Sequence, residues 1–411
     1  MRREATLASW LRTRRAMRFS PQRLADHRQE QWQQLQPTLR STPALAPHAG
    51  KPLQSLPVVD VQDIRRDYGR WNSLGLSDAR VRRLADDAEA GTSDAGELSA
   101  GYSTGTSGRR GIFITSAAER ADYIGQSLAR LLPLAALFRR QRLALHLRAN
   151  NTLYGDAASR RLAFAYLPLA SSLEETLAEL QAWGPTILIA PPHRLLALAA
   201  MRGALPGALR HLFYGSEPMS ERDCAIVSGR FGIVPRAIYQ ATEGFLGASC
   251  RYGALHLNDH SLEIELEPVP GTRGFRPIIT DLRRRSQPIV RVRGDDYLEL
   301  VGHDCGCGFA GRIVAPPAGR VQDIWRYAGR AITPGQVVTN VEALEPGLDW
   351  SAVGSRSSVE LRFDAPIDRA KAKRIATEVQ LRLAIPVPVL PVTGRLPAHG
   401  PKRRKVEWCD D

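Results

Sequence analysis

From Leu143 to Tyr239, short apolar runs alternate with helical stretches, and few folds accommodate that order. Leu143–Leu147 is a short apolar run. Ser171–Trp183 reads as a helix opened by the cap-like SSLEE. Thr186–Ala190 is an apolar run closed by Pro191-Pro192, and Arg194–Met201 is helical again. His211–Tyr214 reads as a strand, Arg222–Phe231 as a helix and Val234–Tyr239 as a strand. This β-α-β rhythm predicts an α/β domain with mostly parallel strands. After residue 250 the rhythm changes to strands and turns: Leu262–Glu267, Pro277–Thr280, Ile289–Val292 and Tyr297–Val301. An antiparallel subdomain is expected there. From about 324 onward the pattern predicts a small α+β unit, with strands Ser358–Phe363 and Val387–Val392 around a helix Asp368–Leu383.

Upstream, residues 1–45 read as largely helical. A Pro-rich loop and short helices at Asp60–Arg66 and Asp78–Asp87 follow. A small-residue linker then leads to 101–111. A helix is predicted over about 117–138, with Ser116 as N-cap and Glu119 three residues on. With 411 residues and 43% hydrophobic content, the chain can bury a sizeable core in two or three domains. No apolar run approaches the roughly 20 residues needed for a membrane span. The basic N-terminus lacks an apolar h-region, so no secretory signal is expected. Its Trp10, Leu11, Met17, Phe19 and Leu24 read as part of the fold. The five cysteines follow no disulfide framework, and a cytoplasmic location is expected.

Three segments carry chemistry. In GYSTGTSGRRG at 101–111, Ser103, Thr104, Thr106 and Ser107 are interleaved with Gly105 and Gly108. Glycines let backbone approach an anion closely, and hydroxyls with free N–H groups can surround phosphate oxygens. No GK[ST] ends the segment, so it is not a Walker A loop. In IYQATEG at 238–244 a strand runs into Thr242-Glu243, where a carboxylate beside phosphates suits Mg²⁺. In PIVRVRGDDYLEL, Asp295 and Asp296 end a strand, and Arg320 follows in GRVQDI. A linker, a polar turn and a hairpin turn are the plain readings of these three.

The order of the pieces resembles the adenylate-forming superfamily of acyl-CoA ligases, and most closely its phenylacetate–CoA ligase-like branch. YSTGTSGRRG is similar to that family's phosphate loop, and FYGSEPMS at 213–220 to its adenine-contacting segment. YQATEG is similar to Tyr-Gly-x-Thr/Ser-Glu, with Gln240 where Gly is commoner. PIVRVRGDD is similar to Pro-x-x-Arg-Tyr-x-x-x-Asp, with Val292 for Tyr. GRVQDI is similar to the hinge motif Gly-Arg-x-Asp-Asp, with Gln322 for the first Asp. LPVVDVQDIRRDYG at 56–69 is similar to the family's opening segment.

The resemblance implies ATP/AMP and Mg²⁺ as ligands and coenzyme A as co-substrate. Ser103, Thr104, Thr106 and Ser107 would contact the β- and γ-phosphates. Gly215, Ser216 and Glu217 would lie along adenine, and Tyr239 would stack on it. Thr242 would contact the α-phosphate and Glu243 would hold Mg²⁺. Counting from Pro288 and Arg291, Asp296 falls on the ribose aspartate, with Asp295 as the alternative; Arg320 would bind ribose too. A C-terminal lysine would offset charge at the α-phosphate. Lys402 in LPAHGPKRRKVEW stands there, with Lys405 as runner-up and a solvated basic tail as the plain reading.

Cys250, His256, Cys305 and Cys307 make a Cys₃His set, the donor set of closed structural zinc sites. Gly306 and Gly308 permit the tight turn, and His303 is a substitute ligand. The same branch carries a similar zinc set. Tyr154, Tyr214, Ala241 and Phe245 are candidate linings for a flat aromatic or unsaturated acid.

The expected architecture is α/β: a large N-terminal adenylation domain, 1–322, with mostly parallel sheets and an antiparallel subdomain, plus a C-terminal α+β lid, 323–411, hinged near Asp323. The net charge of +14 is almost all Arg, since the lysines are Lys51, Lys371, Lys373, Lys402 and Lys405. The arginines are scattered rather than gathered with aromatics, so nucleic acid is not an expected partner. A basic surface suits ATP, coenzyme A or an acyl carrier protein. The reading leaves room for a homodimer. The expected reaction makes acyl-AMP from ATP and a carboxylate, then passes the acyl group to a thiol. The acceptor alternatives are a carrier protein, an amine or a hydroxyl; a non-catalytic nucleotide-binding protein is the third reading.

Overall fold

The alternating segment forms parallel strands because Leu162–Pro168, Ile187–Ala190 and His211–Tyr214 are each followed by a helix long enough to carry the chain back. The computed structural model describes residues 2–92, 96–102, 110–147, 162–302, 305–345, 349–364, 367–394 and 404–409. Among them, Arg236–Ala241, His211–Tyr214, Ile187–Ala190, Gln141–Leu147 and Leu162–Pro168 lie side by side in that order, all parallel. Tyr214 pairs with Ala237 and with Ala190. The edge strand Leu162–Pro168 has no counterpart in the sequence reading.

The same sheet continues antiparallel through Gly244–Ser249, Leu255–Leu257 and Ile313–Val314. Beyond residue 250 the change of rhythm is therefore a change of strand direction within one sheet, plus a second sheet. That second sheet orders Val59–Asp60, Val292–Arg293, Phe275–Asp281 and Leu262–Pro268. The expected strand Tyr297–Val301 makes only isolated bridges, at Leu298 and Leu300.

Helix boundaries follow local chemistry. Ser116 and Glu119 form a capping box, as do Ser172 and Glu175, and Thr333 and Gln336. The helix expected over 117–138 ends at Leu131, because Pro133 disfavours helical backbone at Leu132; Leu134–Phe138 continues as a 3-10 turn. Residues 1–45 divide into Arg2–Ala16 and Pro21–Arg40. The first lies on Ala117–Leu131 at closest approach around Gly125. A Cβ there would meet the Thr6 carbonyl oxygen at 2.5 Å and Ser9 Oγ at 2.9 Å. Ser9 Oγ donates to the Asp122 carbonyl oxygen at 2.8 Å, and Arg12 donates to the Asp122 carboxylate at 2.6 Å.

The chain divides into two compact units. One comprises Met1–Glu265, Ile278–Gly294 and Leu300–Pro316; the other comprises Leu266–Pro277, Asp295–Glu299 and Pro317–Asp411. The expected division at 322/323 lies in the 3-10 turn Val321–Asp323, inside the second unit. In the first, Leu131, Leu143, Phe213 and Phe245 share a buried cluster, while Trp32, Leu35 and Leu39 pack with Leu282 and Val290.

In the second unit the strands order Val389–Thr393, Val359–Phe363, Trp350–Gly354 and Val406–Trp408. Helices Pro334–Leu344 and Arg369–Arg382 help bury Trp325, Trp350 and Phe363. Burying each such ring contributes about 2–3 kcal/mol. Val406–Trp408, which the sequence reading left in the tail, runs parallel to Trp350–Gly354. The Lys405 carbonyl oxygen accepts from the Ala352 amide at 2.7 Å, and Trp325 Nε1 donates to the Glu407 carbonyl oxygen at 2.9 Å. No helix among the described residues is long and apolar enough to cross a membrane.

Candidate active site

The phosphate-loop segment is the loop of a hairpin. Leu98–Tyr102 and Ile112–Ser116 pair antiparallel, and Tyr102 faces Ile112. Ser103, Thr104, Thr106 and Ser107 lie outside the described residues, but both feet of their loop are in place. Tyr102 OH donates to Asp86 at 2.5 Å; burial first, then Asp86, pushes its pKa up to about 12. Arg110 pairs with Glu89 and covers the Tyr102 ring at 4.5 Å.

Thr242 and Glu243 form the two-residue turn between Arg236–Ala241 and Gly244–Ser249, where Ala241 faces Gly244. The buried Arg284 guanidinium holds this turn: Nη1 donates to the Thr242 carbonyl oxygen at 2.7 Å. Its Nη2 donates to Gln287 Oε1 at 2.5 Å. Gln287 in turn donates to the Ile112 carbonyl oxygen and accepts from the Ile114 amide, both at 3.1 Å. Tyr68 OH accepts from the Ile112 amide at 2.8 Å. The turn and the foot of the loop are thus tied through two side chains. They share a small cleft lined by Tyr68, Gly111, Ile112, Thr242, Glu243 and Gln287, with Arg65 beside them. Sequence reasoning missed Arg284, Gln287, Tyr68 and Arg65. Only the LPVVDVQDIRRDYG segment, which contains Arg65 and Tyr68, gave a signal for any of them.

Gly215, Ser216 and Glu217 leave the C-terminal end of His211–Tyr214, where open parallel sheets place their ligands. A Cβ on Gly215 would stand 3.2 Å from the Ile238 carbonyl oxygen, and Ser216 adopts φ 73°. That left-handed backbone turns the chain toward Ser220, the N-cap of Glu221–Phe231. The buried Glu217 carboxylate meets His193 Nδ1 at 2.9 Å, a partner sequence reasoning did not find.

Tyr239 is buried on the next strand. By strand alternation and register, Tyr214, Tyr239 and Ala241 share one face of the sheet. Phe245, opposite Gln240, points to the other face and packs edge-on to Tyr123 at 6.0 Å among core residues. The expected acid-pocket set is therefore split, and Phe245 is core. Tyr154 lies outside the described residues.

In the second unit the ribose candidates come together. Asp296 bridges Arg320 antiparallel, and the Val321 amide donates to the Asp295 carbonyl oxygen at 2.9 Å. The Asp295 carboxylate is held by Arg276 at 2.9 Å. Asp323 is buried and paired with Arg404; burial first raises its pKa, and Arg404 opposes the shift. Lys405 Nζ donates to Glu342 at 2.5 Å and stands 5.4 Å from the Trp350 ring centroid. Lys402 lies outside the described residues.

Cys250, His256, Cys305 and Cys307 converge, with all four ligand atoms within 4.8 Å of one another. His256 Nε2 is 3.0 Å from Cys305 Sγ and 3.4 Å from Cys307 Sγ. Its Nδ1 is 2.7 Å from the Gly311 carbonyl oxygen, which fixes the tautomer that leaves Nε2 as donor atom to a metal. Gly306 at φ 67° and Gly308 at φ 83° make the turn that side chains resist. His303 lies outside the described residues.

No family model and no curated protein matches the sequence. Solved structures do match. A 2-hydroxyisobutyryl-CoA ligase in the postadenylation state with 2-HIB-AMP is 16% identical, with TM-score 0.69 over 97% of this chain and 91% of that one. A benzoate CoA ligase from Burkholderia xenovorans LB400 is 14% identical, with TM-score 0.54 over 72% of this chain and 66% of that one. An amide bond synthetase from Marinactinospora thermotolerans is 15% identical, with TM-score 0.54 over 70% and 64%. The chain has the fold of the adenylate-forming ligases.

Proposed function

We propose that this chain activates a carboxylic acid with ATP to an acyl-adenylate and then passes the acyl group to a thiol, coenzyme A above all. The observation that carries the reading is the cleft in which the Thr242-Glu243 turn and the foot of the Ser/Thr/Gly loop stand together. It sits on the fold of a CoA ligase that holds its acyl-AMP.

The acid's own carboxylate attacks the α-phosphorus and pyrophosphate leaves, so the chain need supply no nucleophile. Thr242 contacts the α-phosphate. Gly215, Ser216 and Glu217 line adenine, with Glu217 held by His193. Tyr239 stacks on the base. Mg²⁺ supplies charge neutralisation on the phosphates when bound, and Glu243 is its ligand. Asp296, which falls on the ribose position by spacing and bridges Arg320, holds the ribose hydroxyls with it; Asp295, paired with Arg276, is the alternative. Lys405 is occupied by Glu342, which favours Lys402 as the lysine that offsets charge in the transition state. Residues 323–411 act as the lid, turning near Asp323 between half-reactions. The Cys₃His set suits a closed structural Zn²⁺, as in the phenylacetate–CoA ligase-like branch. An aryl or unsaturated acid, a cytoplasmic location and a homodimer complete the reading.

The test is acid-dependent ATP–pyrophosphate exchange over a panel of aryl and fatty acids, followed by addition of coenzyme A. Exchange with thioester release is expected. Absence of exchange with every acid would overturn the enzyme reading. The amide bond synthetase on this fold favours one second reading, transfer to an amine. Exchange without a thioester product would select it, or a carrier-protein or hydroxyl acceptor.

A further inference from the structure

Arg130 sits near the end of the helix Ala117–Leu131 and is 4% exposed. Its Nε donates to Asn258 Oδ1 at 2.7 Å, and Nη2 donates to the carbonyl oxygens of Ala248 and His256 at 2.9 and 3.4 Å. None of these oxygens belongs to a carboxylate. Nη1 has no hydrogen-bond partner among the described residues. The guanidinium lies 4.5 Å from the Phe309 ring centroid, and that ring is 5.4 Å from the His256 imidazole.

A buried cation with no counter-charge is strongly destabilising. Asp259, the carboxylate in this neighbourhood, is already held by Arg312 in two bonds, at 2.6 and 3.0 Å. The bonds from Arg130 Nη2 reach the backbone of His256 itself and of Ala248, two residues before Cys250. Among the described residues the Arg130 guanidinium thus bonds to no carboxylate, and two of its bonds go to the backbone that carries His256 and leads to Cys250.

We infer that Arg130 is the built-in counter-cation of an anionic zinc centre made by Cys250, His256, Cys305 and Cys307. The inference rests on the zinc reading above. Three thiolates, a neutral imidazole and Zn²⁺ sum to a single negative charge, which one guanidinium balances. Zinc entry releases one proton to solvent from each thiol that it binds. In the metal-free protein those protons return, and Arg130 faces a neutral cluster. Metal and Arg130 therefore stabilise each other. Arg130→Lys keeps the charge and changes the hydrogen bonds; Arg130→Met keeps the bulk and removes the charge.

The test uses the full chain, stripped of metal and titrated with zinc against a chromophoric chelator. Cobalt(II) absorption serves as the probe for thiolate ligation. A wild type that takes up neither metal overturns the zinc reading itself. If it does take them up, Arg130→Met is expected to weaken zinc binding about 10- to 100-fold, the range for partners just outside a metal's ligands. Arg130→Lys is expected to stay within a few-fold of wild type. Metal-free Arg130→Met is expected to melt no lower than metal-free wild type. Wild-type affinity in Arg130→Met, or equal loss in both variants, would overturn the counter-cation role. Should Arg130→Met fail to fold, hydrogen exchange on the wild type decides. Stripping zinc is expected to expose the amides of 124–131, and unchanged protection there would overturn the inference.

Discussion

Arg284 donates to the Thr242 carbonyl oxygen at 2.7 Å from a buried position, so the turn that carries Glu243 is held by a side chain from another segment. The same guanidinium reaches the foot of the phosphate loop through Gln287. Its role is positioning, since it donates to backbone and to Gln287. Arg284→Lys is expected to lower the kcat of pyrophosphate exchange about 100-fold, the scale for a misplacement of about 1 Å. The KM for ATP should move much less. A proportional rise in KM with kcat intact would show that Arg284 serves binding alone.

Lys402 and Lys405 are three residues apart and are expected to behave differently. Lys402→Ala should abolish adenylation while sparing ATP binding. Lys405→Ala should keep exchange within a few-fold. It should cost about 1 kcal/mol of stability through loss of its pair with Glu342, at the upper end for a partly exposed pair. Exchange kinetics, ATP titration and chemical denaturation of both variants would separate the roles. Loss of exchange in Lys405→Ala alone would reverse the assignment.

Cys307→Ser should lower the zinc content below about one atom per chain, the content of a closed Cys₃His site. It should also lower the melting temperature, while ATP binding persists. Elemental analysis and thermal melts check it. A wild type without zinc, with a melting temperature indifferent to chelator, would remove the metal.

His146 gives the protein an acid-sensitive point. It is fully buried in Gln141–Leu147, with Nδ1 3.0 Å from the Leu167 carbonyl oxygen and Nε2 accepting from Arg194 at 2.7 Å. Burial first, with some help from Arg194, lowers its pKa to about 4 from the ordinary 6.5. Above pH 6.5 both folded and unfolded chains hold it neutral, and it has no effect on stability. Between 6.5 and 4 the unfolded chain binds a proton that the folded chain refuses, so stability falls by about 3 kcal/mol across that window. His146→Gln should flatten that part of a plot of stability against pH. An unchanged slope would assign the acid sensitivity elsewhere, first to His260, whose buried ring is also held well below 6.5.

What the sequence made legible was what local chemistry decides. Ser116, Ser172 and the Pro191-Pro192 pair mark helix and strand ends that the structure keeps within a few residues. The cysteine cluster was legible because its donor types are few and specific. Long-range partners were not legible. Arg284 sits in a run of three arginines and looks like surface, yet it is buried because Thr242 and Gln287 lie above it. His193 reads as a helix residue until Glu217 comes beside it. Phe245, a candidate pocket lining, faces the core cluster through the irregular register at Tyr239 and Gln240, which no local pattern announces. Spacing from Pro288 and Arg291 pointed to Asp296 ahead of Asp295, but the pairing of Asp295 with Arg276, nearly twenty residues upstream, had no sequence signal.

The strand Val406–Trp408 enters beside Trp350–Gly354 from more than fifty residues downstream. During synthesis, the flank of Trp350–Gly354 that receives it therefore stays open until the last strand leaves the ribosome. A nascent chain paused before Val406 presents unpaired backbone at Ala352–Gly354, the kind of edge that recruits other strands or chaperones. The lysine proposed for catalysis lies just before that strand. Pairing of Val406–Trp408 with Trp350–Gly354 thus follows the synthesis of Lys402, so the edge is closed only by chain made after the residue proposed for the chemistry.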